Sequence, residues 1–380
     1  MKLGWVMPAV LLVCGCASAP APLTIDPLFA DERFAPGIAV ADADELFALD
    51  DAMRSFVRRQ IQPRARWIGP RLALHEALRD SLTLDYDTAM TRTARQAFAA
   101  RAGNCLSLVI LAGALARELD IPVTYRSVRG YDTWSRDGGL VLLSGHVNLV
   151  LGRHDADGIF ASTVMDRPLV IDFVENARDT DRRAREISEA MIVAMYLNNR
   201  AAELLLAGDL HGAYWHARAA VGTQRDFVSA LNTLAVVYLR HGDLPEARQV
   251  LDRALQREPG NAQVLTNLVR VLTVQGETDE ARLVQQRLSE ISKYPPFHFL
   301  DRGNAALAAG DIDAAMAQFR KELQRIPYDP ELHFAIAVAS FRRGDVEEAR
   351  AHLRLAMHNS TTRSRHDLYA AKLDRLKDLP

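Results

Sequence analysis

The chain has 380 residues, 49% hydrophobic and 25% charged, with 46 basic against 48 acidic residues and a formal net charge of −2. That length supplies roughly two or three domains with real cores, and the charge balance excludes both the clustered basic excess of a nucleic-acid-binding protein and a polyanionic tail. Only three cysteines are present, too few for a disulfide framework.

At the start of the chain, Lys2 precedes an apolar run from Leu3 to Val13 that is too short to cross a bilayer and is followed by small residues, the pattern of a secretion signal. Val13-Cys14-Gly15-Cys16 resembles a bacterial lipobox. The resemblance implies that residues 1–15 are removed and that Cys16 carries a diacylglycerol; an ordinary secreted protein is the alternative. Ala17 and Ser18 follow, with no aspartate, which in such lipoproteins implies an outer-membrane anchor facing the periplasm of the bacterial cell envelope. Residues 16–40, with Pro20, Pro22, Pro27 and Pro36, are expected to form a tether. After processing, Cys105 has no cysteine of its own chain to pair with.

Residues 42–100 read as helices, with apolar spacings of three and four through Leu46, Leu49, Met53, Phe56 and Val57, again through Leu72, Leu74, Ala77, Leu78 and Leu82, and from Tyr86 to Ala100 with Ala89, Thr93 and Ala97 on one face. Arg101-Ala102-Gly103-Asn104-Cys105 then opens an apolar helix, Leu106 to Leu119, with Gly103 reversing the chain and Asn104 as N-cap. Cys105 falls in the first turn. There the unpaired N–H groups and the positive helix end favour thiolate over thiol and can steady an oxyanion. An inert cysteine buried in an apolar helix is the competing reading.

A strand, Val123 to Val128, a glycine-rich loop from Gly130 to Gly139, and two further strand-like segments, Leu140 to Leu151 and Pro168 to Val174, follow. His146 and Asp172 lie in these last two. On neighbouring strands they would supply a base and the carboxylate that orients it; singly, each also reads as a satisfied structural residue. Trp134 and Tyr125 read either as cleft or as core.

Gly103-Asn104-Cys105 opening a helix that ends Ala116-Arg117-Glu118-Leu119-Asp120-Ile121-Pro122-Val123, followed by histidine and then aspartate on successive strands, resembles the bacterial transglutaminase-like superfamily. The resemblance implies an α+β, papain-like domain over residues 41–182, with Cys105 as nucleophile, His146 as general base and acid, and Asp172 as its orienter. Two features depart from many relatives: Val147-Asn148-Leu149 follows the histidine where an aromatic is common, and Phe173 rather than proline follows Asp172.

The second half repeats itself. Gly208, Gly242, Gly276, Gly310 and Gly344 are spaced by 34 residues, each is followed by Asp or Glu, and alanine stands five residues after each. Seven residues before the glycine come Ala201, Ala235, Gly303 and Ala337, with Val269 the exception. Small residues let two helices approach, and the glycine turns the chain between them. The pattern resembles the tetratricopeptide repeat. It implies five units over 190–360 stacked into an all-α solenoid with a concave face, capped by a tail, 361–380, through Leu368, Leu373 and Leu376.

Together these features predict an outer-membrane-anchored periplasmic cysteine acyl-transfer enzyme that hydrolyses a peptide or amide bond, transamidation being the same chemistry resolved by an amine. A protein or peptide partner would occupy the repeat groove, and the N-terminal lipid would hold the membrane. The alternative is a catalytically inactive envelope adaptor that binds proteins through its repeats. Histidines such as His211 and His216 lack ligand spacing and no Walker-type loop is present, so neither a metal nor another cofactor is expected.

Overall fold

A computed structural model describes residues 28–36, 39–82, 84–87, 90–137, 140–152, 169–173, 184–291, 294, 297–360 and 363–376. Cys16 and the signal segment lie outside these residues, as does the side chain of Trp134.

The N-terminal half mixes helices with a sheet. Asp42 and Asp50 cap α1 (Ala43–Phe47) and α2 (Asp51–Phe56) by accepting the N–H of Glu45 and Met53. A π-helical turn, Val57–Ile61, leads into α3 (Gln62–Ile68). Gly69, at φ 81°, then turns the chain into α4 (Pro70–Glu76), which opens on proline.

The helix expected from Tyr86 starts only at Ala94 (α5, Ala94–Ala100). Thr93 stops it with a capping box, exchanging side-chain bonds with Gln96. Asp85–Tyr86 (β1) instead pairs in parallel with Ala102–Gly103 (β2). The chain reversal expected at Gly103 falls on Arg101, at φ 50°. Gly103 has another use: a Cβ there would sit 2.7 Å from that of Ser107, so β2 can press against α6 (Cys105–Glu118) only without a side chain. Every residue of α6 from Leu106 to Ala116 is buried.

Beside α6 lies a four-stranded antiparallel sheet of β3 (Val123–Asp137), β4 (Leu140–Leu151), β5 (Leu169–Ile171) and β6 (Ala184–Ile187), in the order β5-β4-β3-β6. Residues 130–137, expected as loop, continue β3: after a register shift between Val128 and Thr133, Thr133 to Asp137 pair with Leu140 to Ser144. Composition pointed to a loop, but the backbone of Leu140 to Ser144 needs a partner and takes it here. Tyr125 is core, not cleft. It is buried, and a Cβ on Gly113 of α6 would strike its hydroxyl at 2.4 Å.

The C-terminal half consists of five helical hairpins: α7 (Glu189–Leu206) with α8 (Leu210–Thr223), α9 (Val228–His241) with α10 (Leu244–Arg257), α11 (Ala262–Gln275) with α12 (Thr278–Ile291), α13 (His298–Ala308) with α14 (Ile312–Leu323), and α15 (Pro330–Arg343) with α16 (Val346–His358). The five periodic glycines all take φ between 82° and 97°, a left-handed turn that side chains resist. Asp209, Asp311 and Asp345 then cap the second helices. At Gly303 a Cβ would lie 2.3 Å from the Phe319 ring, which shows why the position is small. In α17 (Arg363–Leu376) Tyr369 and Leu376 are buried in the contact and Leu373 packs against it; Leu368, also expected there, is 47% exposed. One hydrophobic core runs from the N-terminal half through the hairpins to Ala281, and a second begins at Phe297.

Residues 28–36, expected to belong to a free tether, are docked on the first two hairpins. Phe34 is 3% exposed, its ring stacked on Tyr214 with centroids 3.8 Å apart. The Ala30 N–H lies 3.0 Å from the hydroxyls of both Tyr214 and Tyr238, and the Tyr238 hydroxyl donates to the Leu28 carbonyl. Asp31 accepts two bonds from Arg218, at 2.6 and 2.8 Å, and a third from Tyr214. Burial pushes the Asp31 carboxyl up, and these bonds outweigh it and hold the group below its usual range. Arg33 reaches Asp243 at 2.6 Å, and Asp243 alone of these aspartates makes no side-chain cap. Phe34→Ala should remove about 3 kcal/mol of this docking. Amide exchange at Ala30 and Phe34 would then rise well before that of α14, and unchanged exchange at Ala30 would contradict the docked arrangement.

Candidate active site

Asn104 caps α6 as expected. Its Oδ1 accepts the Ser107 N–H at 2.9 Å and the Ser107 hydroxyl at 2.8 Å, and this holds Cys105, half-buried and free, at the first turn. His146 is 4% exposed, and the Cys105 side chain is near enough to help raise its pKa. Its Nε2 lies 2.9 Å from Asp172 Oδ1. The three residues singled out in the sequence are thus brought together, His146 bonded to Asp172 and beside Cys105.

Strand register explains the meeting. Leu149 pairs with Ile171, so the next residue, Asp172, comes level with Asn148. Asn148 in turn pairs with Arg126 across β4 and β3. The row Arg126, Asn148, Asp172 is bonded end to end. Asn148 Nδ2 donates to Asp172 Oδ2 at 2.9 Å, and Arg126 Nε donates to Asn148 Oδ1 at 3.0 Å. Arginine can only donate, so it fixes which end of the Asn148 amide faces Asp172. Neither Arg126 nor Asn148 was expected at the site. The available signal was a cation and an amide set in apolar strands, the residue types least often buried without a partner.

The electrostatics follow from burial against bonding. Burial alone would push the His146 pKa down. The bond to Asp172, the neighbouring Cys105 side chain and the charges of both overcome it and raise the group from 6.5 to about 10. Because the folded value lies above the unfolded one, the stability contributed by protonated His146 is complete below pH 6.5 and is lost as pH rises through about 10.

The first repeat helix reaches the same place. The Thr91 N–H donates to Glu203 at 2.6 Å, while the Thr91 hydroxyl accepts from both Asn199 and Asn104, at 3.3 and 2.9 Å. Arg92 N–H donates to the Ser107 hydroxyl at 2.8 Å. Burial raises the Glu203 carboxyl, and Arg200 pulls it back. The segment 90–93 is therefore a strap across the start of α6, bonded on its other side to α7. Among the described residues no cluster of His, Cys, Asp and Glu could hold a metal ion, and no helix is long and apolar enough to cross a membrane.

The family model of the tetratricopeptide repeat matches residues 239–292 and 300–362, so the helical hairpins within those residues are tetratricopeptide repeats. Cellulose synthase operon protein C of Pseudomonas fluorescens is 32% identical over 107 residues, 26% of this chain and 8% of that protein; the chain spans under a tenth of that relative's length. Among solved structures, a thermophilic TPR protein of Thermus thermophilus is 19% identical, over 47% of this chain and 98% of its own, at a TM-score of 0.30. YrrB, described as a TPR protein with an unusual peptide-binding site, is 21% identical, over 47% and 92%, at 0.26.

His146 should titrate far above an ordinary histidine in a pH series of its ring nitrogen resonances. Asp172→Asn should bring the midpoint down by more than a unit, and Asn148→Ala by less. A midpoint near 6.5 in the unaltered protein would contradict the charged pairing of His146 with Asp172.

Proposed function

We propose that this is a bacterial envelope protein whose repeats bind a protein or peptide, and whose N-terminal papain-like domain carries out acyl transfer on such a ligand at Cys105. The repeat assignment supports the binding half. The catalytic half rests on one observation, the convergence of Cys105 and Asp172 on the buried His146. The lipid anchor on Cys16 and the outer-membrane location are part of the proposal and come from the N-terminal sequence.

In the proposed reaction the Cys105 sulfur, having passed its proton to His146, attacks an amide carbonyl. The Ser107 N–H is taken by Asn104, and the N–H groups of Cys105 and Leu106 face the developing oxyanion at the positive end of α6. The imidazolium returns its proton to the leaving amine, and the acyl group stays on sulfur as a thioester. Water then attacks the thioester while His146 takes its proton. The carboxylic acid leaves and the thiol is restored. An amine in place of water gives transamidation. Asp172 keeps the ring oriented throughout, and Asn148 and Arg126 keep Asp172 oriented.

A second reading, an adaptor with an inactive N-terminal domain, is favoured by the comparisons, whose family matches fall on the repeats alone. Labelling separates the two. Iodoacetamide, with the site located by peptide mass, should alkylate Cys105 at neutral pH at least tenfold faster than in His146→Ala, because the histidine takes the proton of the attacking thiol. Cys105→Ala should abolish hydrolysis of the natural ligand, Asp172→Asn should lower it by about 10³–10⁴, and Asn148→Ala by about 10–100-fold through misorientation. Equal labelling in both proteins, with cellular function intact in Cys105→Ala and lost when the repeats are disrupted, would leave the adaptor.

A further inference from the structure

A chain of net charge −2 places six arginines, Arg54, Arg58, Arg59, Arg64, Arg66 and Arg71, between Asp51 and Glu76 with no carboxylate among them. Two have acidic partners, Arg54 at 4.0 Å from Glu118 of α6 and Arg64 at 3.3 Å from Glu76. Arg58, Arg59 and Arg66 are exposed, and none of them forms an ion pair with a described residue. They sit on the outer side of the π turn and α3, whose inner side is pinned by buried Val57 and Ile61. Trp67, next to Arg66, is 86% exposed, a costly place for an indole in water. It stands at the corner that Gly69 and Pro70 make between α3 and α4, and Leu72 across that corner is 42% exposed. Arg59 lies two helical turns behind, about 12 Å along the axis.

We infer that this corner is a membrane-docking surface, with Trp67 and Leu72 entering the interface of an anionic phospholipid bilayer and Arg58, Arg59 and Arg66 on its phosphates. Charge and shape decide the occupant. Guanidinium groups match phosphate oxygens in pairs, and the indole favours the headgroup level, where one edge is wet and the ring is not. A soluble polyanion would neutralise the arginines and leave Leu72 and the Trp67 ring uncovered; a bilayer takes both parts. A protein partner would need a run of acids to face one sign of charge around an apolar tip. The surface is independent of any acyl chain and of the reaction at Cys105.

The test uses the full chain carrying Cys16→Ser, so that no lipid on that residue contributes; variants share its N-terminus. Sedimentation with vesicles of phosphatidylglycerol and phosphatidylcholine should retain the protein, and phosphatidylcholine alone should not. Joint replacement Arg58→Glu, Arg59→Glu and Arg66→Glu should weaken retention about 100-fold at low salt, and Trp67→Ala with Leu72→Ala about tenfold. Added salt should release the parent protein. Brominated lipid should quench a fluorescence component that Trp67→Phe lacks, which tests insertion without altering the arginines. Equal retention on neutral vesicles, no retention, retention on heparin but not on vesicles, or quenching unchanged in Trp67→Phe would each overturn the assignment.

Discussion

Helix α6 is apolar on every side and buried from Leu106 to Ala116, so it cannot rotate or slide without opening the core of the N-terminal half. Everything around Cys105 is placed relative to that fixed rod. Two glycines set how closely its neighbours come: Gly103 lets β2 press on the first turn, and Gly113 receives the Tyr125 hydroxyl of β3. The cap formed by Asn104 ends the helix one residue before the cysteine. The thiol therefore emerges at a defined point where the helix has open donors.

The polar row beside it is held by a different balance. Arg126, His146 and Asn148 are all buried, and taking such groups from water is unfavourable unless each finds a partner. Here each bond relies on the next: Arg126 orients Asn148, Asn148 holds one oxygen of Asp172, and the other oxygen holds His146. A buried network with one member missing leaves the others unsatisfied in a low-dielectric setting. The row is thus expected to act as a unit, with the effects of single replacements far from additive.

The two halves are not beads on a string. A single hydrophobic core crosses from α6 and the sheet into the first hairpins, the strap at 90–93 is bonded to both α6 and α7, and residues 28–36 close over Tyr214 and Tyr238. A ligand held on the first repeats would be presented to the site from a fixed direction, a gain in effective concentration that a flexible linker would dilute. The docked segment also moves the end of the expected tether back from residue 40 to residue 28.

Local chemistry was legible in the sequence. The 34-residue period shows because every hairpin needs the same left-handed turn and the same close helix approach, and the cap of α6 shows because Asn104 and Ser107 are three residues apart. Cys105, His146 and Asp172 could be singled out by residue type, order and family resemblance. What lay beyond reach depended on partners distant in the chain. Asn148 and Arg126 take their places from strand register across 22 residues, β1 forms because Tyr86 meets Gly103, and Phe34 and Asp31 find their partners about 180 residues away. A bond between residues a turn apart leaves a mark in the sequence because both partners fall within one period. A bond between strands or between halves of the molecule leaves none, because burial and register decide it only after the core has formed.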